Sequence, residues 1–168
     1  MNLLKNVLLL TVLAAAGFLG EARAQVTPLT ETTEFDVTIT ITASCTITAT
    51  PISFGTVVRS TADTAQGTLT VNCSATKPYK VSLDGGLSPD GPTITATSRR
   101  MANANGFVPY GLYSDAAHTI LWGEDPDDVD GTGSGTDQLL TVYADVTAAA
   151  TNAPRGDYID TVTATITY

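Results

Sequence analysis

Side chains able to do chemistry are few in this chain, and their spacing works against most of the chemistry they could do. His118 is the only histidine. No cysteine or second histidine stands near it in sequence, so it has neither a metal-binding companion nor a nucleophile to activate, and a surface or turn position is expected. The serines form no Gly-x-Ser-x-Gly elbow. The run Glu124-Asp125-Pro126-Asp127-Asp128-Val129-Asp130-Gly131 has the composition of a calcium loop. With Gly131 set at the loop glycine, Asp128 and Asp130 fall at ligand positions and Asp137 at the closing one. Pro126 then occupies the first ligand position, where an oxygen is needed, and no helices flank the run. A solvated acidic loop over Gly123–Asp137 is the expectation. Arg155-Gly156-Asp157 spells an adhesive tripeptide, but Pro154 and Gly156 read as turn punctuation before a final strand. Asn72-Cys73-Ser74 matches a glycosylation sequon, yet it falls inside a predicted strand and includes a cysteine expected to be bonded. The residues therefore assign no catalytic group, metal ligand or cofactor site, and the chain does not read as an enzyme.

The two cysteines, Cys45 and Cys73, have a clearer use. The chain opens with Lys5, the apolar run Val7–Leu19 and the small-x-small motif Ala22-Arg23-Ala24. That is the pattern of an export signal, with the apolar run too short to span a bilayer comfortably. Residues 1–24 are expected to be a signal peptide cleaved after Ala24, leaving a mature chain from Gln25 with no transmembrane segment. In an oxidising compartment an even cysteine pair is expected to form one disulfide, here Cys45–Cys73. Closing a loop of that length would stabilise by roughly 3.5 kcal/mol through chain entropy.

Charge excludes one class of partner. The formal net charge is −9 at pH 7, and loss of Lys5, Glu21 and Arg23 with the leader takes it to about −10. Scattered Lys and Arg in an acidic chain give no footprint for nucleic acid.

The elements that position these residues are strands. Thr, Val, Ile and Tyr alternate in short runs broken by Gly, Pro, Asn and Asp, and no helical period appears, which predicts an all-β domain. Strands are expected at Thr68–Cys73, Tyr79–Leu83, Phe107–Tyr113, Leu139–Val146 and Tyr158–Tyr168. Their inward sets are Leu69, Val71 and Cys73; Tyr79, Val81 and Leu83; Leu140, Val142, Ala144 and Val146; and Tyr158, Val162, Ala164 and Ile166, with Asp160 as an exception in the last. Asp84–Pro92 is dense in turn formers and reads as a loop.

One run exceeds the rest. From Phe35 to Ala49 every odd position is apolar or small (Phe35, Val37, Ile39, Ile41, Ala43, Cys45, Ile47, Ala49) and every even one polar. As a single strand it would reach about 46 Å, against a domain diameter of roughly 37 Å. Either it breaks and changes sheet, or part of it projects beyond the domain.

Motifs spread along the chain add a resemblance. Phe35-Asp36-Val37 ahead of Cys45, Ile52-Ser53-Phe54-Gly55, Val71-Asn72-Cys73 and Pro78-Tyr79 come first. Arg100-Met101, Tyr110 with Leu112-Tyr113, Trp122-Gly123, Leu140-Thr141-Val142-Tyr143 and Gly156–Val162 follow. In this order and spacing the chain resembles the spore coat U domain family, which includes subunits of archaic chaperone–usher pili. The resemblance implies an incomplete immunoglobulin-like β-sandwich completed by donor-strand exchange. It implies residues 25–43 as an N-terminal extension whose Phe35, Val37, Ile39 and Ile41 form the donor strand, and residues 44–168 as the domain. The implied partners are identical or related pilus subunits, a periplasmic chaperone and an outer-membrane usher. The implied route runs through the periplasm to a cell-surface fibre. A monomeric secreted β-sandwich binding domain and a non-fibrous surface coat protein are the alternatives. The family pattern does not separate a pilus subunit from a coat protein.

Overall fold

Alternation of apolar and polar residues decides which segments pair, and Pro, Gly and side-chain hydrogen bonds decide where pairing stops. The computed structural model describes residues 26–90 and 95–168. The expected cleavage after Ala24 lies outside the described residues. The chain divides into two units, parted between Ile39 and Thr40. In the first, residues 26–39 carry no regular secondary structure and are exposed.

The second unit is all-β apart from one 3-10 turn at Ala96–Ser98. Its strands are β1 (Cys45–Ala49), β2 (Asp63–Cys73), β3 (Pro78–Leu83), β4 (Arg100–Asn103), β5 (Gly106–Pro109), β6 (Gly111–Tyr113), β7 (Val129–Thr132), β8 (Gln138–Val146) and β9 (Ala164–Thr167). A four-stranded sheet runs β1-β2-β8-β6, a three-stranded sheet runs β7-β3-β9, and β4 and β5 form a separate hairpin. Every pairing is antiparallel. The long β2–β8 ladder, with Leu69 opposite Leu140 and Val71 opposite Gln138, is the spine of the larger sheet.

Leu69, Val71, Cys73, Val142, Ala144 and Leu112 from one sheet meet Tyr79, Val81 and Leu83 from the other in a single buried cluster. The sets expected for β2 and β3 lie wholly in it; of the β8 set, Val142 and Ala144 are in it, Leu140 packs half-buried against it and Val146 is buried outside it. Trp122 lies between the sheets, 1 % exposed. Its indole N–H donates to the Val81 carbonyl at 2.9 Å, which satisfies the one polar atom that burial would otherwise strand. The fold is the expected β-sandwich.

The structure departs from the strand pattern read in the sequence: β2 begins at Asp63 and not Thr68, β4 lies outside the expected strands, and three expected segments change character. Phe107–Tyr113 is not one strand: it breaks at Tyr110 into β5 and β6, which belong to different sheets. Pro109 has no N–H to continue a ladder, and the Tyr110 N–H turns to the Arg99 carbonyl. Gly123–Asp137 is not wholly a loop, because Val129–Thr132 pairs with β3 as β7. Two of its aspartates share one cation across that pair: Lys80 meets Asp128 at 3.2 Å and Asp130 at 2.9 Å. At Gly131 a side chain would collide with the Tyr79 ring, so glycine lets the two strands close. In Tyr158–Tyr168 only Ala164–Thr167 forms a ladder, while Ile159 makes an isolated bridge to Ala102.

Candidate functional site

β1 is the outer strand of one sheet and β9 the outer strand of the other, and no ladder joins them. Between them the sandwich opens into a groove of about 520 Å³. Its floor is the core itself: Leu69, Leu83, Leu112, Val142 and Ala144 all line it.

The first wall begins where β1 ends. Pro51 cannot donate to a ladder, and Thr50 closes the strand in its place. The Thr50 N–H donates to the Thr68 carbonyl at 2.9 Å, and the Thr68 N–H donates to Thr50 Oγ1 at 2.8 Å. The chain then runs on from Pro51 with Ile52 and Phe54 half-buried and Pro51, Ser53 and Gly55 exposed. That is the burial alternation of a strand, yet the segment has no ladder on either side. Gly67 in β2 makes room for this wall, since a Cβ there would lie 2.5 Å from Ile52 Cγ1.

The second wall is residues 158–164. Tyr158, Asp160, Val162 and Ala164 are half-buried in alternation, and again no ladder forms before Ala164. Both walls carry strand-like alternation without a strand between them. Val162, Ala164 and Ile166 on one side, and Ile47, Ile52 and Phe54 on the other, pack against the core but are only partly covered. An inserted β-strand would cover these side chains and pair with the free backbone of both walls.

Charged groups at the groove are hydrogen-bonded on the protein side. Arg99 is 1 % exposed and sits behind the floor. Its guanidinium donates to the carbonyls of Asp84, Trp122 and Leu83, each at 2.8 Å. Burial pulls its pKa down, while the nearby Tyr110, Asp84 and Asp160 push the other way. Asp84 accepts the Thr163 N–H at 2.9 Å and the Gly86 N–H at 3.0 Å. Burial works to raise the Asp84 pKa, but hydrogen bonds from Thr163 and Gly86, with the Arg99 charge, prevail and hold it below its ordinary value. Asp160 accepts the Tyr110 hydroxyl at 2.7 Å and the Leu87 N–H at 2.9 Å. Burial first, then the hydrogen bond and charge of Asp160, raise the Tyr110 phenol well above its ordinary range.

The residues singled out in the sequence are placed as follows. Cys45 and Cys73 stand opposite each other on β1 and β2 and are joined as a disulfide. Phe35, Val37, Ile39 and Ile41 carry no strand and are 82–86 % exposed. His118 lies in a turn, its ring edge-on to Tyr113 and Tyr143. The carboxylates of the calcium-like run diverge: Asp128 and Asp130 face Lys80, while Asp137 accepts from the Asn72 amide at 2.8 Å. Arg155, Gly156 and Asp157 occupy an exposed turn. Sequence reasoning missed Arg99, Tyr110 as a hydrogen-bond donor, and the Ile52–Phe54 wall. Asp160 was marked only as an exception in an inward set, and that mismatch was the available signal.

A family model described as the Spore Coat Protein U domain matches residues 31–165. Over 110 residues the chain is 36 % identical to Protein U of Myxococcus xanthus, an alignment covering 61 % of this chain and 59 % of that protein. The fold is similar to a chain in the crystal structure of the CsuC–CsuE chaperone–tip adhesion subunit pre-assembly complex from the archaic chaperone–usher Csu pili of Acinetobacter baumannii. The TM-score is 0.59 at 26 % identity, over 77 % of this chain and 40 % of that one. The chain thus spans less than two thirds of the length of either protein.

Proposed function

The chain belongs to the Spore Coat Protein U domain family, and from that premise we propose that it is a structural, non-enzymatic subunit of a cell-surface fibre. Its groove takes a β-strand from another molecule: a periplasmic chaperone first, then the N-terminal extension of a neighbouring copy as an outer-membrane usher releases it. In this reading residues 1–24 are removed on export, residues 25–43 are the extension, and residues 44–168 are the accepting domain.

The observation that carries the proposal is the pair of alternating walls with no strand between them, together with a matching segment on the same chain. The wall from Tyr158 to Ala164 is seven residues long and presents four half-buried positions. Phe35 to Ile41 is also seven residues, with four exposed apolar side chains at the same two-residue spacing. Burying four such side chains contributes about 6–12 kcal/mol. Ordering seven residues costs about 7–14 kcal/mol. Ladder hydrogen bonds of about 1 kcal/mol each tip the balance toward insertion. With margins this narrow, one unfilled pocket matters.

The first prediction follows. Ile39→Asp puts a carboxylate into an apolar groove without a partner. Fibre yield by electron microscopy should fall to background, while the variant still accepts the extension of wild-type subunits in a mixing experiment. Fibres at wild-type yield would overturn the donor assignment. So would a variant that stays unfolded when an intact donor strand is supplied.

A non-fibrous coat role is the second reading, favoured by the description of the matching family as a spore coat domain. It predicts wild-type protein that coats a surface but forms no fibres at any concentration.

A further inference from the structure

The accepting wall 158–164 poses a physical problem. An extended segment with no ladder over most of its length should collapse or fluctuate, because each residue held in one conformation costs about 1–2 kcal/mol of entropy. Yet this wall must be extended when a strand arrives. Three contacts hold it from behind. Ile159 and Ala102 exchange backbone hydrogen bonds at 3.2 and 2.9 Å. The Thr163 N–H donates to the Asp84 carboxylate, and the Asp84 N–H returns a bond to the Thr163 carbonyl at 3.1 Å. Between these two, the carboxylate of Asp160 is held by the Tyr110 hydroxyl and the Leu87 N–H.

Among the described residues, Asp160 is the only charged one lining the groove. An apolar strand covering an unpaired carboxylate would cost heavily. Its partners are already in place within the domain, so covering it strands nothing. The turn Asp84–Leu87 supplies two of the three contacts, and Gly86 allows its approach. Gly86 has φ +78°, and a Cβ there would overlap the Asp160 carboxylate.

We infer that Tyr110 and Asp160, with the Asp84–Leu87 turn, form a clamp that keeps the accepting wall extended in the empty domain and so sets how fast a strand is captured. The inference rests on the groove being a strand acceptor. Tyr110 and Asp160 are positioning residues that act through the backbone of residues 158–164. Once a strand is inserted, its own ladder holds the wall and the clamp becomes redundant. Loosening it therefore lowers the fraction of domains ready to bind and the apparent affinity with it, without hastening release.

The test uses the full chain at submicromolar concentration with a fluorescent synthetic peptide carrying residues 33–43. Tyr110→Phe removes a single oxygen from a half-buried ring. It should slow peptide association by roughly five- to tenfold while leaving dissociation within about twofold of wild type, because the Leu87 and Thr161 N–H groups still hold the covered Asp160 carboxylate. Gly86→Ala, which displaces Asp160 by a different route, should give the same signature. A merely structural role would lower the melting temperature of empty and peptide-filled protein equally and leave the association rate unchanged, which would overturn the inference. So would a loss of affinity carried by faster dissociation. Wild-type protein that takes up no peptide would overturn the acceptor reading itself, and the clamp with it.

Discussion

At Asp160 a carboxylate stands where strand alternation calls for an apolar side chain, and Arg99 is buried without an ion pair of its own. Neither is a defect. Each is held by neutral partners: Asp160 by a phenol and backbone N–H groups, Arg99 by three carbonyls. The consequence for pH has a definite sign. The folded Tyr110 phenol titrates above its ordinary 10.0, so the stability it contributes is whole below pH 10 and is lost as pH rises above that value. Asp84 titrates below its ordinary 3.8, so its contribution is whole above that pH and is lost as pH falls through the range beneath it. Urea midpoints should stay level across neutral pH and fall on both flanks. Tyr110→Phe should flatten the alkaline flank, and Asp84→Asn the acid one. An alkaline limb of unchanged slope in Tyr110→Phe would mean that Tyr113, also raised by burial, or another group sets it. Legibility at this scale was uneven for a physical reason. Asp160 broke a period and could be seen. Arg99 could not, because its partners are main-chain carbonyls, which every residue carries. Nothing in sequence separates it from Arg100 beside it, which lies over the Phe107 ring at 3.8 Å and pairs with Asp90 at 2.9 Å.

Among the elements, β2, β3 and β8 were legible because both of their fates, buried or exposed, follow period two and their ladders are long. The breaks were not. Tyr110 continues the alternation of its run, but the chain changes sheets there, and only Pro109 hinted at it. The acidic loop hid β7, which pairs with β3 through its backbone while Lys80 meets Asp128 and Asp130 across the sheet, and composition alone does not reveal that. The run from Phe35 to Ala49 was too long for one strand, and only its last five residues became β1. That short strand pairs only with β2 and forms one lip of the groove. The disulfide at its first residue holds it there. Replacing both cysteines by serine should destabilise the domain by about 3.5 kcal/mol, the chain entropy of the loop they close. Hydrogen exchange should quicken first in Cys45–Ala49 and only later in the β2–β8 ladder. Uniform quickening across both would show that the bond acts on the unfolded chain alone and not on the lip of the groove.

For the molecule as a whole, the proposed assembly by strand insertion must work against charge. The sequence has 17 acidic residues against 8 basic ones, and three of the basic ones are already committed: Lys80 and Arg100 in ion pairs, Arg99 to buried carbonyls. Copies of such a chain repel one another at long range, while the inserted strand and groove contribute mainly apolar contacts and backbone bonds, which salt barely weakens. Repulsion acts on encounter, because the Debye length falls from about 30 Å at 0.01 M salt to about 8 Å at 0.15 M. The proposed fibre should therefore assemble faster as salt is raised over that range, most steeply at the low end, and then level off. Preformed fibres should gain far less from the same salt than the assembly rate does, since the proposed groove contacts are apolar and backbone ones. Light scattering of purified subunits across a salt series measures the first, and thermal dissociation of fibres measures the second. Assembly that slows with added salt would mean that complementary charges on the two surfaces steer the encounter. The outward row Glu34, Asp36, Thr38 and Thr40 would then have to meet basic residues on the rim of the acceptor.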